Sequence, residues 1–334
     1  MAHADSAYAS GLSEFISRLR QCIQRSPSAS RIDVAALSRV VPTVAVILLL
    51  PLAASAEQVG IPTPSAIPGT TNTWLIFGFT DGADTGFKGE RSIYYESVVR
   101  FSRHEAGLAG LRNSMGVTYS TSDRTTWWLG GATTALRGVS DQLDAQPRCC
   151  DASDSNRAGP LAGWKYRIVP RTVSGTGVSI QVEPYWERAI RRGNETQQAF
   201  GSDVRLIIDK VLAHERLFGA LNIAYQPEGG VSHGRTSWDS GIELSAAIAA
   251  KASDTLIVGV EARHLQSYGG YFFSERRGRA FFAGPTFYLP LGNNGYLGAA
   301  WSTQLFGRAV GDPHGLDLLN YERHQVRFKF GMSF

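Results

Sequence analysis

The chain has 334 residues, of which 43% are hydrophobic and 19% are charged. Its formal net charge of +4 at pH 7, about +2 for the part after residue 56, is too small to indicate nucleic-acid binding. No apolar run of about 18 residues follows the N-terminal region, which excludes helical membrane spans there. Transmembrane β-strands stay possible, because each needs only about 10 residues of alternating pattern.

The N-terminal region contains a secretory signal. Residues 39–56 read RVVPTVAVILLLPLAASA, a basic residue and an apolar core closed by small residues. We expect cleavage after Ala56, so that residues 1–56 form the leader and signal peptide. The alternative is an N-terminal membrane anchor. Pro42 and Pro51 bracket the core and disfavour that alternative.

Residues 57–90 are predicted to be a periplasmic or lumenal segment. They begin with a proline-containing stretch without periodicity and continue into an apolar, aromatic run at Thr71–Thr80. That run could lie in a barrel lumen, extend the edge of the first strand, or imply a fourteen-stranded barrel. The acidic, glycine-rich stretch after it could bind a cation. However, Asp81, Asp84 and Glu90 do not match the spacing of a calcium loop, which favours a plain turn.

Residues 91–334 are predicted to form a transmembrane antiparallel up-and-down β-barrel, an all-β fold. Apolar and polar residues alternate in successive segments, as expected for strands with one oily face. Single-chain bacterial barrels close with even strand numbers, which favours twelve strands starting near Arg91, with fourteen as the alternative. The predicted strands cover residues 92–102, 111–121, 125–135, 164–171, 177–187, 203–212, 217–226, 240–251, 256–264, 279–289, 296–306 and 324–334.

The connections between these segments alternate in length. Short connections are expected to be periplasmic turns and long ones extracellular loops. Trp127 and Trp128 lie together near one end of a strand, and we expect both in an interfacial aromatic belt. The predicted long loops are residues 136–163, 188–202, 227–239, 266–278 and 307–323.

The chain ends in HQVRFKFGMSF, His324–Phe334, where apolar residues alternate with charged or small ones. A chain that stops on an aromatic residue in such a strand resembles Gram-negative outer-membrane β-barrels. The resemblance implies an outer-membrane location among lipid and lipopolysaccharide. It also implies assembly by the barrel-assembly machinery, with Phe330, Met332 and Phe334 as the assembly signal. Passive channel or transporter activity is the expected function, whereas the solute and the oligomeric state do not follow.

The inward face of the predicted barrel carries interleaved charges of both signs. They would either hold the wall together through salt bridges or line a solute path, which twelve strands would make narrower than an open porin. Five arginines are predicted to form an anion-tolerant constriction: Arg100, Arg167, Arg171, Arg263 and Arg327. The full set of predicted lumen-lining residues is Glu96, Arg100, Lys165, Arg167, Arg171, Glu183, Asp203, Arg205, Asp209, Glu243, Glu261, Arg263, Arg327 and Lys329.

The resemblance to outer-membrane barrels thus implies a passive channel or transporter, and a charged lumen would suit small polar solutes. The alternatives are a structural or partner-binding barrel with a plugged lumen and, less favoured, an outer-membrane lipid hydrolase. No His-x-Ser pair is present, and His264 lies three residues from Ser267. The histidines show no ligand spacing, so neither a metal nor a cofactor is expected. Cys149 and Cys150 could form a strained vicinal or an intermolecular disulfide, or stay unpaired.

Overall fold

A computed structural model describes residues 71–334, except for 104–107, 138–154, 172–174, 191–195, 214–215, 233–234 and 293. The predicted cleavage after Ala56 and the state of Cys149 and Cys150 lie outside the described residues. In the part of the chain that is described, no helix is both long enough and apolar enough to cross a membrane.

The described residues form twelve β-strands, which pair in chain order. The strands are β1 (Arg91–Arg103), β2 (Leu108–Ser122), β3 (Thr125–Arg137), β4 (Ser155–Val169), β5 (Thr176–Ile190), β6 (Thr196–Ala213), β7 (Leu217–Ser232), β8 (Arg235–Ser253), β9 (Leu256–Gly269), β10 (Glu275–Leu291), β11 (Gly295–Ala309) and β12 (His324–Ser333).

The last strand closes the sheet against the first. β1 and β12 pair antiparallel from Ser92 opposite Ser333 to Phe101 opposite His324, and every neighbouring pair of strands is antiparallel. The predicted twelve-stranded transmembrane barrel is therefore confirmed, and fourteen strands are not formed. The apolar run Thr71–Thr80 contains no strand. A closed barrel leaves no unpaired edge, which is what a sheet inside a bilayer requires.

Alternation places apolar side chains on the outer surface. In β8, Ile248 is 50% exposed, whereas the next residue, Ala249, is fully buried. In β12, Phe328 is exposed and Lys329 is buried. Exposed aliphatic and aromatic residues next to buried charged ones are the inverse of a water-soluble barrel, and they suit a surface that faces lipid.

The paired tryptophans of β3 correct one expectation. Trp127 is exposed on the outer surface and lies 5.9 Å, ring to ring, from Trp164, as an interfacial belt requires. Trp128 instead faces the interior and donates a 2.7 Å hydrogen bond from Nε1 to Glu183 Oε2. Adjacent residues of a strand point to opposite faces, so both tryptophans could not belong to the belt.

The strands extend further on the long-loop side than the sequence predicts. Residues 227–239, predicted as a loop, lie mostly in β7 and β8, which reach 16 and 19 residues. Likewise, β4 begins at Ser155, inside the predicted loop 136–163. These extensions are rich in glycine and polar residues, so they lack the alternation that reveals a strand inside the apolar band. In these extensions, the hydrogen bonds between the backbones of neighbouring strands continue the sheet.

The chain terminus lies at the short-turn end of the barrel. The backbone N–H of Phe334 donates to the carbonyl oxygen of Arg91 at 2.9 Å, and the Phe334 side chain is 66% exposed. Ser333 Oγ donates to Glu90 Oε1 at 3.0 Å, next to the start of β1. Both ends of the barrel sheet thus meet at one rim. That rim is the periplasmic one by the usual orientation of such barrels.

Candidate functional site: the lumen and residues 71–90

The interior of the barrel is charged on its wall and occupied by residues 71–90, which we call the inner segment. This segment has no regular strand, yet Ile76, Phe77 and Ala83 are at most 2% exposed. Residues outside the sheet can be this buried only if other parts of the protein enclose them. Here the strands of the barrel wall enclose them.

The inner segment has an apolar anchor near the periplasmic end. Ile76 and Phe77 pack with Phe218, Ala249 and Ile257, which belong to β7, β8 and β9 close to their short turns. Burying two such large side chains would contribute roughly 1.5–3 kcal/mol each. The anchor thus fixes where the segment enters the lumen.

Cationic side chains of the wall hold the carbonyl oxygens of the inner segment. Such groups would otherwise be buried without hydrogen bonds, which is costly. The five donors lie on β4, β6 and β12 or just after β4: Lys329 Nζ to Phe77 O at 2.7 Å, Arg327 Nη1 to Gly78 O at 3.1 Å, Arg205 Nη1 to Phe79 O at 3.3 Å, Lys165 Nζ to Gly82 O, and Arg171 Nη2 to Thr71 O at 2.7 Å.

Wall carboxylates accept from the backbone N–H groups of the same segment. Glu261 Oε2 accepts from the N–H groups of Phe79 and Thr80 at 2.8 and 3.1 Å. Asp209 Oδ2 accepts from the N–H of Ala83 at 2.9 Å. The interleaved charges on the wall therefore match the alternating acceptors and donors of an irregular backbone.

Two acidic residues of the inner segment form ion pairs with the wall. Asp84 lies 2.7 Å from Arg171 and 3.2 Å from Arg167. Asp81 lies 3.4 Å from Arg205. Burial alone would raise the pKa of Asp81, but Arg205 and the other nearby cations, Arg327 among them, outweigh burial and hold this pKa below its ordinary value.

Gly78 allows the close approach between the inner segment and the wall. A Cβ atom at this position would lie 2.6 Å from Ala300 Cβ and 2.8 Å from Glu261 Oε1. Those distances are too short for any side chain. Glycine is therefore the residue that lets the backbone reach Glu261.

A second element enters the barrel from the opposite, long-loop end. In the β11–β12 loop, Asp317 is fully buried and Glu322 is 8% exposed. Glu322 lies 3.3 Å from Arg100 and accepts a 2.5 Å hydrogen bond from Gln325 Nε2. Burial raises the pKa of Tyr321 in this loop, as do the carboxylates Asp317 and Glu322.

Arg263 lies between the loop and the inner segment. Its guanidinium is 3.8 Å from the ring centre of Phe79 and donates to Gln325 Oε1. It also lies 5.4 Å from the ring of Phe282, which packs edge-on against Tyr321. One buried cation therefore touches both elements that narrow the lumen, directly or through one neighbour.

The predicted lumen-lining residues divide into two groups. Those that touch the inner segment are Lys165, Arg167, Arg171, Arg205, Asp209, Glu261, Arg263, Arg327 and Lys329. The others interact with wall or loop residues: Glu96 with Arg327, Arg100 with Glu322, Glu183 with Trp128, Asp203 with Arg205, and Glu243 with Arg205 and Arg263.

The five arginines predicted as an anion-tolerant constriction each face a carboxylate. The pairs are Arg100–Glu322 at 3.3 Å, Arg167–Asp84 at 3.2 Å, Arg171–Asp84 at 2.7 Å, Arg263–Glu243 at 4.0 Å and Arg327–Glu96 at 2.6 Å. The pairing leaves little uncompensated positive charge on these five arginines to attract an anion.

Sequence reasoning missed Asn222 and Thr73. Asn222, on β7, is 1% exposed and bonds to the backbone of Asp81. Thr73 Oγ1 donates to Asp209 Oδ2 and accepts from Arg171 Nη1. An asparagine on the inward face of a strand was a detectable signal, whereas Thr73 carries none.

His264 and Ser267 are not placed to act on one another. His264 and Ser267 lie on β9 at positions of opposite parity, so they face opposite sides of the wall. Within the same described ranges, no group of three or more His, Cys, Asp or Glu side chains is placed to hold a metal ion.

Solved structures of outer-membrane barrels are similar to this chain. The COG4313 outer membrane channel from Pseudomonas putida F1 superposes with a TM-score of 0.51 at 9% identity, covering 75% of this chain and 98% of that one. The translocator domain of the autotransporter NalP from Neisseria meningitidis gives 0.45 at 13% identity, covering 75% and 91%. The toluene transporter TodX of Pseudomonas putida gives 0.35 at 10% identity, covering 79% and 99%.

At these identities the likeness concerns the fold, which is that of Gram-negative outer-membrane barrels. No relative was found among curated proteins. A family model matches residues 71–334, which include both the inner segment and all twelve strands. The chain is thus an outer-membrane β-barrel and belongs to the family of unknown function DUF6662.

Proposed function

We propose that this protein is a passive outer-membrane channel for small polar solutes, whose lumen is closed by its own inner segment and opens when that segment moves. The observation that carries the proposal is the polar character of the contact between segment and wall. Among the described residues, apolar contact beyond the anchor at Ile76 and Phe77 is limited to Phe79 with Val98 and Ala300 and to Trp74 with Trp128. The other contacts described above are mainly hydrogen bonds and ion pairs to polar wall side chains. Water can replace each of those hydrogen bonds.

A permanent plug would be better served by an apolar interface. Buried charges stabilise a closed state only weakly, because their desolvation offsets much of their mutual attraction. The same charges become favourable when water enters the lumen. The wall residues Lys165, Arg205 and Glu261 could therefore line an aqueous passage once the inner segment leaves.

A solute path would run beside the β1–β6 part of the wall. Several inward side chains there keep contact with solvent: Glu96 and Arg112 are each 27% exposed, and Asp203 is 21% exposed. These carboxylates and guanidinium groups suit small polar solutes. No contact of the described residues selects a particular one.

The second candidate is a structural or partner-binding barrel that never opens. The apolar anchor favours it, because Phe77 and Ile76 are as buried as the core of a soluble domain. The two candidates differ in one respect, the movement of the inner segment. An experiment that restrains this movement separates them.

Single-channel conductance in planar bilayers tests the proposal. We expect brief, small openings in the wild type and a larger, sustained conductance after deletion of residues 57–90. A disulfide between Ala83→Cys and Gly177→Cys, in a Cys149→Ser/Cys150→Ser background, should abolish openings until it is reduced. The Ala83 Cβ and a Cβ built on Gly177 are 3.0 Å apart, and the Asp209 carboxylate, which would touch that Cβ, must move aside to admit the bridge. Gly177→Cys alone in the same serine background therefore serves as a second control.

The serine background with a single cysteine at position 83 is the matched control. It should conduct as the wild type does. Silence of both the wild type and the deletion variant, with heat-modifiable migration showing that both are folded, would support the structural barrel and overturn the channel.

A further inference from the structure

The outer surface of the barrel carries a basic and aromatic patch near the extracellular rim. This patch takes no part in the lumen. Arg279 of β10 and Arg308 of β11 are direct cross-strand partners, and both are exposed. Like charges placed directly opposite each other destabilise a sheet. Among the described residues, no carboxylate lies within ion-pair distance of either guanidinium.

Both arginines point away from the lumen. Their neighbours Gly278, Ala280 and Ala309 are buried toward the interior, and strand side chains alternate. Arg276 is opposite Tyr268 in the same part of the sheet and is also exposed. Within the described part of the chain, the outer wall thus presents three arginines that form no ion pair with a carboxylate.

The arginine pair lies at the border of the apolar band. Directly next to it toward the membrane centre, Phe281 and Phe306 are cross-strand partners whose rings stack at 4.6 Å. From Arg279 to Leu291 at the other end of β10, the chain would rise about 28 Å at about 3.3 Å per residue and about 45° tilt. An apolar band about 25 Å tall therefore ends close to the two guanidinium groups.

The β9–β10 loop adds an aromatic surface on the neighbouring β7–β9 part of the outer wall, where Tyr271 and Phe273 contact Tyr225, Trp238 and Tyr268. It folds onto the outer wall, since the N–H of Gly270 donates to Trp238 O and Ser240 Oγ donates to Gly270 O, both at 2.8 Å. At its tip, Tyr271 and Phe273 are each 40% exposed and Phe272 is 73% exposed. Such rings contact acyl chains and headgroups at a membrane interface.

We propose that Arg279 and Arg308 bind the phosphate of a phosphorylated, acylated glycolipid of the outer leaflet, with the chemistry of lipid A, whose acyl chains pack on Phe281, Phe306 and the β9–β10 loop. Guanidinium groups match phosphate oxygens in geometry and charge. Phosphate between the two arginines removes their mutual repulsion. Because apolar and aromatic side chains surround the arginines, the site favours an acylated phosphate over a free anion.

Binding of fluorescent bisphosphorylated lipid A to the folded, detergent-purified protein tests this site. Arg279→Gln/Arg308→Gln should bind at least about tenfold more weakly than the wild type, because two charge-assisted contacts are lost. Arg124→Gln/Arg216→Gln removes the same charge from exposed positions in the short turns. This control should bind as the wild type does.

Four competitors identify the ligand. Unlabelled bisphosphorylated lipid A should displace the probe, whereas dephosphorylated lipid A, phosphatidylglycerol and inorganic phosphate should not. Equal affinity of the two arginine variants would overturn the site. Equal competition by inorganic phosphate, dephosphorylated lipid A or phosphatidylglycerol would overturn the assignment to a phosphorylated glycolipid. Heat-modifiable migration of each variant verifies that the barrel is folded, and the measurement does not depend on channel activity.

Discussion

The side-chain amide of Asn222 is hydrogen-bonded to both backbone groups of Asp81: its Oδ1 accepts from the Asp81 N–H at 2.7 Å, and its Nδ2 donates to the Asp81 carbonyl at 2.8 Å. One wall residue thus pairs with the inner segment as a neighbouring strand would. Because both partners are buried, removing the amide leaves two backbone groups without hydrogen bonds.

Replacing Asn222 with alanine should loosen the inner segment. Loss of the two hydrogen bonds should cost about 2 kcal/mol, which raises the displaced population roughly 30-fold. The rate at which a maleimide labels Ala83→Cys, in the Cys149→Ser/Cys150→Ser background, measures this population because Ala83 is fully buried.

Gln226→Ala is the matched control for Asn222. Gln226 lies on the same strand, and its Nε2 donates to Asp203 Oδ2 at 2.7 Å on the wall. Its loss should leave labelling unchanged. Equal labelling of the Asn222 variant and its parent would mean that this pairing does not hold the segment.

Glu261→Gln should weaken the segment at another point. The carboxylate accepts from the N–H groups of Phe79 and Thr80 through one oxygen, and an amide oxygen is a poorer acceptor. We expect about a tenfold rise in labelling at Ala83→Cys. Glu183→Gln provides the comparison, because the Glu183 carboxylate bonds to the indole of Trp128. A rise of similar size in that variant would point to a general loosening of the barrel.

Acidification should release the inner segment at low pH. The pKa of Asp81 lies below the ordinary value of an aspartate, since nearby cations led by Arg205 outweigh the effect of burial. A depressed carboxyl pKa stabilises the folded arrangement above the ordinary value, and this stabilisation is lost as pH falls through the folded value. The single-channel conductance should therefore stay constant from pH 7 to about pH 4 and rise below that.

Asp81→Asn distinguishes this carboxyl group from other acids. The variant should show a higher labelling rate at neutral pH and a smaller increase in conductance on acidification, because the titrating group is gone. An acid response identical to that of the wild type would assign the effect to other carboxylates.

The sequence predicts the barrel better than it predicts the contents of the lumen. The alternation around Phe328 and Lys329 predicts a strand, the side on which each residue lies and the pairing register. It does so because a bilayer requires apolar residues outside and polar residues inside on every strand. Trp128 shows the limit of local reading, since one aromatic residue suits either face. The sequence of residues 71–90 has no periodic pattern that would predict the path of the segment. Its hydrogen-bond partners are also distant in sequence, since Lys329, which donates to the Phe77 carbonyl, lies 252 positions away. Only the closed barrel brings such residues together.

The loop and the inner segment should respond to one another through Arg263. This residue contacts Phe79 of the segment and is linked through Gln325 to Glu322 of the loop. Removing either charge should raise the labelling of Ala83→Cys. In a double-mutant cycle of Arg263→Met and Glu322→Gln, the double variant should label much as the Arg263 variant does, because the loop acts on the segment through that residue. Arg263→Met combined with Glu187→Gln is the control cycle. Its effects on the labelling rate should be additive, since Glu187 pairs with Arg112 at 2.5 Å on another part of the wall. Additive effects in the Arg263–Glu322 cycle would mean that the loop and the inner segment close the lumen independently.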